Sequence, residues 1–209
     1  MSPLATGEAT GRPAPSLSPK KLLQAAVVIG LIVAASIGGA FYYYRYGDKT
    51  TPDDKVIAAQ TKQILKIDVP TRLWPKLMVT RPDVMTMVVY TPFKETAEQA
   101  CLAIVSCEPE WAHEKGNRPL PLLQSALQQY FPHFETERWT DTETRDVPIR
   151  GRNEKVVVAT SYRVEDHKEV RVVSIDNLVT DKGAIALYYQ TPATSTVDDD
   201  IETLLKSLN

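Results

Sequence analysis

The sequence predicts an α+β fold, an antiparallel β-sheet flanked by helices and preceded by one N-terminal transmembrane helix. Three observations predict it. A charge-free run of twenty residues, 25–44, stands near the N-terminus. Behind it come segments whose apolar residues alternate with period 2, separated by turn residues. Two segments with helical spacing, one at 120–131 and one at the C-terminus, interrupt and close that series, and strands and helices segregated in this way build a layered α+β domain. The 209 residues, 43% hydrophobic and 24% charged, are enough for one such domain plus appendages. That composition excludes a wholly disordered, collagen-like or polytopic membrane chain.

Residues 1–19 are rich in Ser, Thr, Pro, Gly and Ala, with Pro3, Pro13, Pro15 and Pro19. So little apolar surface does not offset chain entropy, and this Pro-rich tail is expected to be disordered. Residues 20–46 are expected to form a transmembrane signal-anchor helix. The run AAVVIGLIVAASIGGAFYYY has Ser36 as its only strongly polar side chain, and its twenty residues make a helix of about 30 Å, the thickness of a bilayer's hydrocarbon core. Phe41, Tyr42, Tyr43, Tyr44 and Tyr46 surround Arg45 at its end, rings of the kind that settle at the headgroup level. A core helix seldom runs this long without a polar face.

The competing reading is a removed signal peptide, because Lys20 and Lys21 precede the run and Gly38, Gly39 and Ala40 lie near its end. The run exceeds the usual length of such a peptide's apolar region, and cleavage after Ala40 would leave an aromatic cluster at the new terminus, which favours an uncleaved anchor. The first cysteine is Cys101, too distant for a lipoprotein attachment site. Gly30 with Ala34, and Ala35 with Gly39, have the small-xxx-small spacing that lets two spans approach. Basic residues flank the run equally, Arg12, Lys20 and Lys21 before it and Arg45, Lys49 and Lys55 after it. The dilysine abutting the run breaks the tie, placing the tail in the cytoplasm and the C-terminal domain outside it, at the cell membrane, with the lipid bilayer as partner.

Residues 47–62 read as a polar stalk and a short helix over 55–62 capped by Asp53 or Asp54. The α+β domain then occupies 63–209. QILKIDV, 63–69, alternates as a half-buried strand ended by Pro70. Residues 84–90 and 100–107 are the next strands, the second so apolar that it belongs at the centre of the sheet. In 120–131, Leu120, Leu123, Leu127, Tyr130 and Phe131 share one helical side, Pro121 suits the first turn and Pro132 stops the helix. Four antiparallel strands follow, over 136–149, 155–164, 169–179 and 184–190, with turns at Gly151 and Asn153, at 165–168 and at DKG, 181–183. The last segment, TVDDDIETLLKSLN, places Val197, Ile201, Leu204, Leu205 and Leu208 on one helical stripe. Asp198, Asp199, Asp200 and Glu202 crowd the positive end of its dipole. Three adjacent acids point in three directions on a helix, so they read as dipole and cap chemistry and not as a metal site.

This element order, the IDVP segment followed by Trp74, and the ending in which AIALYYQTP leads into a helix closing with LLKSL resemble the PsbP-like α/β/α sandwich group over roughly 62–208. The resemblance implies a binding or assembly module and brings no shared catalytic residues. The membrane anchor and the tail depart from that group's usual soluble forms.

Chemistry-bearing motifs are sparse. His113, His133 and His167 stand in no HxH or HExxH context, and no GxSxG, GxGxxG or P-loop occurs. Neither a cofactor nor a metal is expected. Four basic residues and one acid lie in 1–45, leaving 20 basic against 25 acidic in the remainder, a net charge of −5 that gives no footprint for nucleic acid. Cys101 and Cys107 could pair in a translocated domain. If they share one straight strand, however, six residues at about 3.3 Å hold them roughly 20 Å apart, so both are expected free, Cys101 buried and Cys107 near the strand end. Trp74, Trp111 and Trp139 sit among polar neighbours, and 108–118 is the longest irregular stretch of the domain. Trp74 and Trp111 are the candidate contacts for a protein partner. The expected function is a membrane-anchored extracytoplasmic binding or assembly module without catalytic activity. The alternative is a hydrolase-like enzyme whose site is assembled from distant residues.

Overall fold

The structure, a computed structural model, describes residues 19–93, 100–114, 116–180, 183–193 and 197–208, and among these it leaves out the side chains of 19, 21, 22, 25, 26, 40–46 and 197–199. The tail expected to be disordered lies outside the described residues up to Ser18, as do the aromatic side chains at 41–46 and, of the DKG turn, Asp181 and Lys182. Two units divide the chain, Met1–Arg45 and Tyr46–Asn209.

The first unit contains α1, Pro19–Tyr46, a helix of 28 residues. Every side chain described between residues 27 and 39 is exposed, with Leu31 at 66% and Ile37 at 65%. This helix therefore carries apolar groups on all its sides. Among the described residues no helix is long and apolar enough to cross a membrane.

The second unit is built on one eight-stranded sheet of β1 (Lys49–Thr51), β2 (Leu73–Arg81), β3 (Met85–Pro92), β4 (Cys101–Cys107), β5 (Thr140–Ile149), β6 (Arg152–Tyr162), β7 (Glu169–Thr180) and β8 (Gly183–Pro192). The spatial order is β1-β2-β3-β4-β8-β7-β6-β5 and every pairing is antiparallel. After β4 the chain crosses one face through the short helix α3 (Pro109–His113), the helix α4 (Pro119–Tyr130) and a 3-10 turn, Pro132–Phe134, to reach the far edge at β5. The meander β5 to β8 then returns it to β4. On the other face lie α2 (Asp54–Ile64) and α5 (Val197–Ser207).

Alternation along the central strands divides the core in two. Leu102 and Ile104 of β4 face Ile57 and Ile64 of α2 and Ile201, Leu204, Leu205 and Leu208 at the C-terminus. Cys101, Ala103, Val105 and Cys107 face Leu123, Ala126 and Leu127 of α4 and the rings of Phe131 and Phe134. Being covered on both faces, β4 needs no polar side, which is why it reads as a continuous apolar run. Both cysteines are buried, and both are free, as the straight-strand geometry requires of the pair.

The coarse class, an antiparallel sheet with flanking helices, agrees with the sequence, while several local assignments change. Residues 63–69 are no strand. Gln63 and Ile64 complete the last turn of α2, where the Leu65 N–H donates to Thr61 O, and 65–70 run on without a ladder partner. Their alternation is real but serves packing alone, with Leu65 buried and Ile67 and Val69 against the core. The strand of this region is β2, which Pro75 and a register shift between Pro75 and Leu77 conceal. The α2 cap is Asp53, whose carboxylate accepts from the N–H groups of Lys55 and Val56. Strand β5 begins at Thr140, preceded by an isolated bridge between Thr136 and Arg163. Arg150 and Gly151, both at positive φ, make the tight turn into β6, and Asn153 lies inside that strand.

The acids of α5 also act over longer range than a dipole. Asp200 pairs with Arg72 at 2.7 Å and Glu202 with Arg145 at 2.8 Å; the side chains of Asp198 and Asp199 lie outside the described set. Arg72 additionally donates to the Tyr189 hydroxyl and to Thr191 Oγ1, both at 2.8 Å, so one guanidinium joins α5 to β8. A second polar junction stands where the sheet begins. Asp48 accepts from Arg81 Nε at 2.6 Å, Arg81 Nη2 at 2.9 Å and the Tyr130 hydroxyl at 3.0 Å. The Arg81 hydrogen bonds, with help from Tyr130, hold its carboxyl below the usual aspartate range despite partial burial.

Candidate functional site

A cleft with a volume of about 700 Å³ lies on the α4 side of the sheet. One wall is α4. Pro119 and Pro121 open this helix, and its buried stripe is Leu120, Leu123, Ala126 and Leu127. Docking that stripe turns Gln124, Ser125 and Gln128 toward the cleft. The opposite wall is the returning chain from Phe134 to Trp139. It is tied to β6 and to the segment just beyond it, because the Glu137 N–H donates to Tyr162 O at 2.7 Å and the Val164 N–H to Glu135 O at 3.0 Å. The Ser161 hydroxyl donates to Glu137 O at 2.9 Å.

The floor is aromatic and apolar. Trp139 and Tyr188 lie with ring centroids 6.4 Å apart at 29°, beside buried Leu127 and Phe134. Tyr188 donates its hydroxyl to Gln190 Oε1 at 2.9 Å, and burial pushes that phenol well up from its ordinary value. Charges on the walls balance. Arg118 stands at the entrance paired with Asp176, and the opposite wall contributes Glu135, Glu137 and Arg138. Glu137 also meets His167 Nδ1 at 2.7 Å, but that ring is 77% exposed and lines no part of the cleft. A smaller cleft of about 420 Å³ lies between the end of α2 and the Arg150 turn, bordered by Gln60, Gln63, Glu108 and Arg150.

The two tryptophans singled out in the sequence are in neither cleft. Trp74 belongs to β2 and not to a loop; it is 50% exposed, and its ring lies 5.4 Å from that of Phe93, itself 76% exposed. Trp111 belongs to α3, half-buried against the α4-side core, where its carbonyl accepts from Asn117 Nδ2 at 2.8 Å. The register puts them at opposite ends of the sheet, since Trp74 pairs near the β4 start and α3 follows its end. Trp139 is the tryptophan that lines a cleft, a role that depends on where α4 lies.

The other titratable groups are scattered. His113 is exposed at the end of α3, and the His133 ring lies 4.2 Å from that of Phe134. Among the described residues no three His, Cys, Asp or Glu side chains are grouped to hold a metal. Burial pushes the Cys107 thiol up to about 12 and the Cys101 thiol further, so both are protonated at neutral pH. Compared with known proteins, the chain matches no family model, no curated protein and no solved structure.

Proposed function

We propose that the chain is a single-pass membrane protein whose folded domain lies outside the cytoplasm and binds a ligand in the cleft between α4 and residues 134–139. The cleft itself is the observation that carries the binding half. It joins an apolar floor to convergent hydrogen-bonding groups, the composition of ligand sites, and its volume falls within the roughly 300–1,000 Å³ typical of them. Its lining is rich in hydrogen-bonding groups, among them Gln124, Ser125, Gln128 and Thr136. The membrane half is supported by the charge-free run 25–44 and by apolar side chains exposed on every side of α1 between 27 and 39, an arrangement that water does not favour. Helices on both faces of the antiparallel sheet are in keeping with the likeness to the PsbP-like α/β/α group, and with an assembly or binding role.

Placing a photoreactive benzoylphenylalanine at Gln128 of the full chain in intact cells tests the binding. An adduct at Gln128, absent with the same group at exposed Lys155, is expected; no adduct at Gln128 would refute the assignment. Topology is read by labelling Lys155→Cys with an impermeant thiol reagent, and labelling only after permeabilisation would reverse the orientation. One observation favours the enzyme reading, the contact of Glu137 with His167 behind the cleft wall. That reading requires His167→Ala to abolish a turnover, whereas a binding cleft is indifferent to it.

A further inference from the structure

We infer that the ligand of this cleft is a neutral saccharide of more than one ring, an inference that rests on the binding role proposed above. Four features of the cleft select it. Its lining carries Arg118 and Arg138 against Glu135 and Glu137, with Arg118 paired to Asp176, so the cleft has no excess of either sign to select an anion or a cation. Its rim is dense in groups that both donate and accept. Gln124 and Gln128 lie one helical turn apart on α4, with Ser125 between them and Thr136 opposite. A sugar hydroxyl is itself both donor and acceptor, and it is matched by amides and hydroxyls better than by charges of one sign.

The floor supplies the second half of the recognition. Half-buried Trp139, backed by the buried ring of Tyr188, presents aromatic surface to the cleft, and a pyranose ring has an apolar C–H face that packs on such surface while its hydroxyls project to the rim. A wholly apolar ligand would cover the amides of Gln124 and Gln128 without offering them partners. The volume of about 700 Å³ exceeds what one ring fills, hence more than one.

The test uses the full chain solubilised in a zwitterionic detergent, because glycoside detergents would compete. Cellotriose, maltotriose and chitotriose are titrated separately while tryptophan fluorescence and ligand-observed saturation-transfer NMR are recorded. At least one is expected to bind saturably below about 10 mM, and Gln124→Ala and Gln128→Ala, on the solvent side of α4, to weaken that binding about five- to tenfold each without moving the melting temperature. Trp139→Phe is expected to abolish the fluorescence change and keep a weakened NMR signal. Binding of none of the three, or binding that the glutamine variants leave unchanged, overturns the inference. If the sugars fail while the photoreactive group at Gln128 still forms its adduct, the saccharide is wrong and the binding cleft stands; if both fail, both readings fall.

Discussion

Deleting α5, by ending the full chain after residue 196, removes one of the two helices that cover the α2 face of the sheet. Ile201, Leu204, Leu205 and Leu208 are each no more than 5% exposed, packed over Leu102, Ile104, Leu187 and their neighbours. Four such side chains contribute together about 6–12 kcal/mol when fully buried, reduced by some 10–40% because the unfolded chain already hides part of its surface. The pairs of Asp200 with Arg72 and Glu202 with Arg145 are lost as well, and the first leaves Arg72 with only its hydroxyl partners on the sheet among the contacts described above. Since the net stability of a domain is about 5–15 kcal/mol, the truncated domain is expected to be unfolded at 25 °C. Far-UV circular dichroism and a thermal melt in detergent provide the readout. Leu204→Ala is the graded companion: it leaves a cavity at a fully buried position and costs about 2–5 kcal/mol, lowering the midpoint by roughly 5–15 °C for a domain of this size. Cooperative melting of the truncated chain near the intact temperature would refute the reasoning. The apolar stripe would then be a surface awaiting a partner.

Asp48→Asn is expected to destabilise the domain by about 1–3 kcal/mol at pH 7, because it weakens charge-assisted bonds to Arg81. The folded carboxyl titrates below its unfolded value of about 3.9, so its stabilisation is present above that pH and disappears as pH falls through the folded value; the melting difference between wild type and variant should narrow below about pH 4, and a constant difference would refute the assignment. Gly183→Ala introduces a Cβ into the Cys107 carbonyl at a φ of +119°, and a loss of at least about 1–3 kcal/mol in urea unfolding is the expected result. Both thiols, buried and protonated, should resist alkylation at pH 8 until the domain unfolds; rapid modification of the folded protein would contradict their burial.

Local periodicity decided much of this protein. The helices α4 and α5, the apolar β4 and the meander β6 to β8 all carry their pattern within a dozen residues, where one face of an element has to match one core. Cys101 and Cys107 were legible as unbridged for the same reason, since strand geometry alone separates them. What depends on partners distant in sequence was not legible. QILKIDV alternates whether or not a neighbour strand pairs with it, and the end of α2 uses its first two residues. LWPKLMVTR forms β2 because β3 pairs with it, despite the proline and the bulge that break its pattern. Asp200 and Glu202 read as dipole partners, and only the folded chain brings Arg72 and Arg145 to them. The cleft is a gap between α4 and the segment 134–139 that follows it, so Trp139 lines it while the more exposed Trp74 does not. A pattern in sequence reports which face of an element is apolar; the space between two elements belongs to neither pattern, and it exists only once both have docked on the sheet.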